Sequence, residues 1–197
     1  MTVSVEVDLN RLKGIVSDLV KTSEIQATVG IKDLKNNEGS KQISTQEYAN
    51  YFEFGWVQRV TGKQARYLSG VSGLNIHPGM TLMNPPRPFF RQTLQDEGAD
   101  WVLMLKNAVS HYSLENIITA HHKALAMVAG VAAEQIRDAL LNGGTRSTKF
   151  PRRTPLTMAI YSAKAKGHKS DGTGTTASEQ PGRLSGLLAK AIDYEIG

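Results

Sequence analysis

Ser44-Thr45-Gln46-Glu47-Tyr48-Ala49-Asn50-Tyr51-Phe52-Glu53-Phe54-Gly55 and, about thirty residues later, Pro85-Pro86-Arg87-Pro88-Phe89-Phe90-Arg91 decide how this chain folds. The first stretch opens in capping-box form: the Ser44 hydroxyl can accept from an early helix N–H while Glu47 reaches back. Tyr48, Tyr51 and Phe52 then share one helical face, and Gly55 supplies a left-handed stop. In the second stretch Pro86 and Pro88 fix φ and press Arg87 into an extended conformation, so the arginine is expected on a rigid arm with little entropy left to lose. Pro88 suits the first position of the helix that follows.

Working outward, Val3, Val5 and Val7 alternate with polar residues as a half-buried strand does. Leu9, Leu12, Ile15, Val16, Leu19 and Val20 switch to helical spacing, and residues 25–32 return to a strand with Ala27, Val29 and Ile31 on one face. Residues 35–40 read as an exposed loop. Residues 56–84 contain four glycines, several basic residues and little periodicity, which predicts a hairpin or extended loop, a protruding loop insertion and candidate contact arm anchored by Trp56 and Tyr67.

From Phe89 the chain turns helical, with Phe90 pointing into the core and Gly98 a weak point that can bend or divide the helix. A second helix, capped by Ser113, runs to about Leu141. Its apolar stripe is Leu114, Ile118, His121, Leu125, Val128, Ala132, Ile136 and Ala139, and Asn142-Gly143-Gly144 ends it. Residues 154–166 form a short helix candidate. Residues 143–183 read as a flexible basic segment, rich in Gly, Ser and Thr over 167–182. Leu184, Leu187 and Leu188 then lead into a last strand, Ile192, Tyr194 and Ile196, expected to join the N-terminal sheet. The fold class is α+β: a small mixed or antiparallel sheet of N-terminal strands plus the C-terminal strand, packed against long helices, with protruding loop arms, in one domain spanning 1–197.

Composition narrows the function. Zero cysteines exclude disulfides, thiolate zinc sites and cysteine nucleophiles. No apolar run is long enough to span a bilayer, and the first six residues lack the layout of a secretion signal, so the product is expected in the cytoplasm where it is made, with no membrane partner. The net charge of +5 is unevenly spread: nine basic and two acidic residues between 142 and 190 give that segment +7 and leave the rest of the chain at −2. Such a segment is a solvated arm or the contact for an acidic partner.

No catalytic constellation assembles. Adjacent His121 and His122 point about 100° apart on a helix and cannot chelate one ion together. His77, His111 and His168 have no carboxylate at metal-site spacing. No Gly-x-Ser-x-Gly elbow occurs, and Gly172-Thr173-Gly174-Thr175-Thr176 lacks the Lys ending of a phosphate loop. The expectation is a non-enzyme without cofactor or metal.

The helix ending in Glu-Phe-Gly, the Pro-x-Arg-Pro-Phe-x-Arg element, and the closing run of Pro155-Leu156, Ala163-Lys164-Ala165-Lys166-Gly167, Pro181-Gly182-Arg183-Leu184 and Ala191-Ile192-Asp193-Tyr194-Glu195-Ile196 together resemble the tail-completion and neck proteins of tailed bacteriophages. Pro181 stands where that family usually has threonine, and the loop between the two anchors is longer, so loop contacts of relatives are not carried over. The resemblance implies a structural virion protein at the neck or tail end, made in the host cytoplasm. It would form a homo-oligomeric ring, a hexamer, that joins head-completion or connector proteins to the tail tube or tail terminator, with DNA passing through. It places Glu53, Phe54, Gly55, Trp56, Arg59, Arg66, Tyr67, Arg87 and Arg91 at subunit or partner interfaces and keeps Phe89 and Phe90 as core anchors. The competing expectation is a basic nucleic-acid-binding protein whose acidic-partner or DNA contacts are Arg146, Lys149, Arg152 and Arg153.

Overall fold

In the computed structural model, residues 9–33, 44–112, 116–167 and 187–197 are described. The expected strand at Val3–Val7, the loop at 35–40, the Ser113 cap and the 168–183 part of the basic segment lie outside them. In chain order the elements are α1 (Leu9–Thr22), β1 (Ala27–Ile31), α2 (Thr45–Phe54), β2 (Trp56–Arg59), α3 (Gly62–Ser72), β3 (Thr81–Asn84), α4 (Phe89–Val109), α5 (Ile117–Asn142), α6 (Pro155–Gly167), α7 (Leu187–Ala191) and β4 (Ile192–Ile196). The protein is α+β, with two antiparallel two-stranded sheets set against long helices.

The C-terminal strand does close the N-terminal sheet: β1 and β4 run antiparallel, with Ala27 opposite Ile196 and Ile31 opposite Ile192. Both strands lie on α5, which also packs against α1 and α4. Contact from several sides explains why α5 buries a broader face than the narrow stripe read from its sequence. Ile117, Ala124, Ala129, Ala132, Ala133, Ile136, Ala139 and Leu140 are buried, whereas Ile118, His121, Leu125 and Val128 are only half-buried. Alanines at the closest contacts let neighbouring backbones approach. Arg137 fastens the junction between α7 and β4, donating to the Ala189 and Ile192 carbonyls at 3.0 and 2.9 Å. Gly143, left-handed at φ 72°, ends α5 as its position suggests.

Gly98 does not divide α4, which continues through it to Val109. The core anchor at the start of α4 is Phe89, fully buried and edge-on to Phe52 at 6.5 Å between ring centres, while Phe90 is half-buried beside it. Phe90, also expected in the core, packs against it without being fully enclosed. The Arg87 N–H donates to the Phe52 carbonyl and the Phe90 N–H is held from α2, and this entry angle turns Phe89 inward.

Residues 56–84, expected as a hairpin or extended loop, form an antiparallel β2–β3 pair with the helix α3 between its strands. Trp56 pairs with Asn84 and Arg59 with Thr81. Val60, Ala65 and Ile76 make a small core of its own, covered by Leu68, Leu82 and Leu156 of α6. The helix is short and buries only Ala65, so hydrophobic periodicity is faint. Its start was nonetheless written in the sequence: Thr61 and Gln64 form a reciprocal capping box, and Gly73 caps the other end at φ 70°. The described part of the basic segment is also ordered. Gly144 bridges Lys149, Phe150 is buried in the main core, and α6 follows.

Phe89→Ala should cost about 3–5 kcal/mol in urea unfolding, as expected for emptying a full aromatic site, and Phe90→Ala distinctly less. Equal losses would contradict the assignment of Phe89 as the anchor.

Candidate assembly interface

The two motifs quoted at the outset meet through one carboxylate. Pro88 occupies the N-cap position of α4 and has no side-chain acceptor to offer, so the first N–H groups of that helix need a partner from elsewhere. Glu53, at the end of α2 and only 6% exposed, supplies it. Its carboxylate accepts from the Phe90 N–H at 3.0 Å, from the Arg91 N–H at 3.1 Å and from Arg91 Nε at 2.8 Å, while its backbone carbonyl accepts from Arg91 Nη2 at 3.1 Å. A negative charge on a helix N-terminus is also favoured by the aligned peptide dipoles. The Arg91 guanidinium continues outward over the Phe54 ring, 4.6 Å from its centre.

Gly55 makes room for this meeting. It sits at φ 70°, and a Cβ there would lie 2.5 Å from the Asn84 carbonyl oxygen and 2.8 Å from the Pro86 nitrogen. Both the backbone angle and the close approach call for glycine.

Arg87 is not presented on an arm. It is 2% exposed, with Nε donating to the Pro151 carbonyl at 2.9 Å and Nη1 to Asn84 Oδ1 at 2.8 Å and the Pro85 carbonyl at 3.3 Å. Nη2 donates to the Arg152 carbonyl at 3.1 Å, and the guanidinium lies 5.3 Å from the centre of the Phe52 ring. The proline-rich segments at 85–88 and 151–155 are poor in backbone donors, and the forked N–H groups of one arginine satisfy carbonyls from both. Burial lowers the Arg87 pKa, the like charge of Arg153 lowers it further, and Tyr48 opposes them. Glu53, Gly55 and Arg87, expected at an interface, are thus internal fasteners, since each is consumed in holding α2 against the start of α4.

The remaining expected contacts are exposed: Phe54, Trp56, Arg59, Arg91 and, on α3, Arg66 and Tyr67. All four residues of β2 face solvent. Val57 and Met83 sit opposite one another across the β2–β3 ladder, 67% and 62% exposed. A groove of about 600 Å³ runs between α2, β2 and α6, walled by Tyr48, Tyr51 and Trp56, with Phe52 and Arg87 in its floor and Arg153 beside them.

The basic segment is engaged by α4. Arg146 faces Glu97 and Asp100 at 3.6 and 3.5 Å and donates to the Asp96 carbonyl. Asp96 accepts from Thr145 Oγ1 at 2.6 Å, from the Ser147 N–H at 3.0 Å and hydroxyl at 2.8 Å, and from Gln92 at 3.1 Å. These bonds, that of Thr145 foremost, hold the Asp96 pKa well below the usual carboxylate range. This anchor escaped the sequence reading, although an Asn-Gly-Gly turn followed by Thr and Ser is a natural place for hydroxyl donors. Lys149 and Arg152 are exposed and Arg153 half-buried. His121 is half-buried, its Nδ1 3.4 Å from the Tyr112 hydroxyl. Among the described residues no group of three or more His, Asp or Glu could hold a metal ion, and no helix is long and apolar enough to cross a membrane.

Comparison with protein-family models, with curated proteins and with solved structures finds no match. The functional reading therefore rests on the chain's own residues.

Because the Asp96 pKa is lowered on folding, its contribution is present above the unfolded value near 4 and is lost as pH falls toward the folded one. Asp96→Asn should therefore lower stability at neutral pH and flatten the acid limb of the stability curve below about pH 4. Asp193, also lowered by its contact with Lys32, leaves a residual slope. Urea midpoints across that range test this, and an unchanged acid limb would contradict it.

Proposed function

We propose that this chain is a structural virion protein of a tailed phage, a tail-completion or neck protein that assembles into a ring, a hexamer, between the head connector and the tail. The observation that carries this reading is the pairing of a firmly clasped base with an adjoining exposed apolar surface. Glu53, Gly55 and Arg87 lock α2 to α4, and immediately beside that lock Phe54, Trp56, Val57 and Met83 stand in solvent. Val57 and Met83, paired across the ladder, form an exposed apolar surface of the kind that marks a protein contact. Ring closure needs two dissimilar surfaces on each subunit, one meeting the other on the next copy. The β2–β3 face offers one. The outer side of α4, where Leu94 and Val102 are exposed, offers the second.

Nucleic-acid binding through residues 146–153 has less support, because Arg146 is already answered by Glu97 and Asp100 and its neighbours Thr145 and Ser147 by Asp96.

Native mass spectrometry of the purified protein, with electron microscopy of particles carrying a labelled copy, tests the reading. A ring of defined stoichiometry at the head–tail junction is expected, and absence from particles would overturn it. Val57→Lys combined with Met83→Glu, which places opposite charges on facing ladder positions, should leave monomer stability within about 0.5 kcal/mol, as surface changes do, while reducing the ring fraction. Rings that form normally in this variant would remove the β2–β3 face from the interface.

A further inference from the structure

The charge of the β2–α3–β3 unit is one-sided. Between Glu53 and Asp96 the sequence holds no Asp or Glu, whereas Arg59, Lys63, Arg66, Arg87 and Arg91 all fall within that span. Arg87 and Arg91 are consumed by the clasp. The other three are exposed, and among the described residues no side-chain hydrogen bond or ion pair answers any of them. Lys63, Arg66 and Tyr67 stand three and four residues apart, on the face of α3 turned away from the buried Ala65. Tyr67 is 62% exposed there and adds an apolar ring to the cations.

The opposite charge lies on α5. Met127, Val131, Glu134 and Asp138 recur in steps of four, three and four, so they share the side of that helix turned away from Ile136 and the core. Met127 is 48% exposed, and Glu134 and Asp138 stand in solvent. Neither acid has a side-chain partner among the described residues. Asp138 borders a depression of about 330 Å³ between α4 and α5 that Glu97 also lines, and the cation there, Arg146, already faces Glu97 and Asp100. Within the chain no ion pair joins the two faces: α3 packs on α6, and α5 packs on α4, α1 and the β1–β4 sheet.

We propose that the Lys63, Arg66 and Tyr67 face of α3 on one copy docks on the Met127, Glu134 and Asp138 face of α5 on the next, so that charge fixes how subunits follow one another. The inference rests on the ring reading, because the partner it names is the neighbouring copy. A contact between dissimilar faces of one chain is the kind that closes a ring. Opposite charges across it speed encounter and fix register, and like charges reject a wrong pairing. The two faces belong with the two apolar surfaces already described, since α3 is part of the unit that carries Val57 and Met83, and α5 packs along α4, which carries Leu94 and Val102. Duplex nucleic acid would meet the cations of α3 but leave the acids of α5 unanswered.

The test uses the whole chain and two charge reversals, Lys63→Glu with Arg66→Glu and Glu134→Lys with Asp138→Lys, one of them carrying a heavy-isotope label. Association is followed by analytical ultracentrifugation at about 0.05 and 0.5 M salt, and the assemblies are weighed by native mass spectrometry. Each variant should keep the wild-type circular dichroism spectrum, since all four positions are exposed and unpartnered. Should a reversal fail to fold, Lys63→Gln with Arg66→Gln or Glu134→Gln with Asp138→Asn replaces it and must show a loss of the same direction. The wild-type chain should associate about tenfold more weakly or worse at the higher salt, and each reversal alone about tenfold more weakly or worse than wild type at the lower. An equimolar mixture should regain association in assemblies holding equal numbers of the two variants, because only unlike chains present opposite charges at both contacts. The proposal is overturned if the wild type stays monomeric at the lower salt, if its association ignores both salt and the reversals, or if the mixture does no better than its components. A duplex oligonucleotide that binds the wild type and is lost from the α3 reversal, with self-association unchanged, would overturn it in favour of nucleic acid. Rings at the head–tail junction that ignore both reversals would sink the charged contact alone, and charge-dependent assemblies of a chain absent from particles would sink the phage reading alone.

Discussion

The Glu53 carboxylate stands almost out of water where α2 ends, and it takes on the opening N–H groups of α4 that Pro88 leaves without a cap. Removing a charge from water is costly, and this one is compensated by two backbone donors, a guanidinium and the positive end of a long helix acting together. The arrangement is asymmetric. Arg91 is largely solvated and could leave without stranding a buried charge, because the carboxylate would keep its two backbone bonds. Loss of Glu53 would leave the first turn of α4 uncapped and its N–H groups facing the packed end of α2. Gly55 and Arg87 belong to the same constraint. The glycine permits the approach of the 84–86 backbone, and the arginine ties that segment to 151–152.

Fixing these segments has a functional consequence. The β2, α3, β3 unit starts directly after Gly55 and returns directly before the proline run, so the clasp closes its base and sets where its exposed residues point. A surface held in this way loses little conformational freedom on docking, which favours association.

Much of the fold was legible because it followed from periodicity and punctuation. The alternation of Ala27, Val29 and Ile31, the matching Ile192, Tyr194 and Ile196, and the glycines closing α2 and α5 each leave a local trace. The α3 helix was missed since its core is borrowed from α6 and β3, leaving only Thr61 and Gln64 to announce it. The roles of Glu53 and Arg87 were read outward when they point inward. Charge and rigidity were visible in the sequence, but the acceptors at Pro151 and Arg152 lie more than sixty residues from Arg87, and no local pattern encodes that proximity. Phe90 was expected to be as deep as Phe89 for a similar reason: the entry angle of α4 is set by α2, not by the helix itself.

The central physical claim is that the Glu53 carboxylate caps α4 across the fold. It is tested most directly by amide hydrogen exchange at Phe90 and Arg91, in the native protein and in Glu53→Ala, with the interior amides of α5 as an internal reference. The account predicts strong protection of both amides in the native chain and its selective loss in the variant while α5 stays protected. Native amides at Phe90 and Arg91 that exchange as freely as an uncapped helix end, or that keep their protection without Glu53, would contradict it.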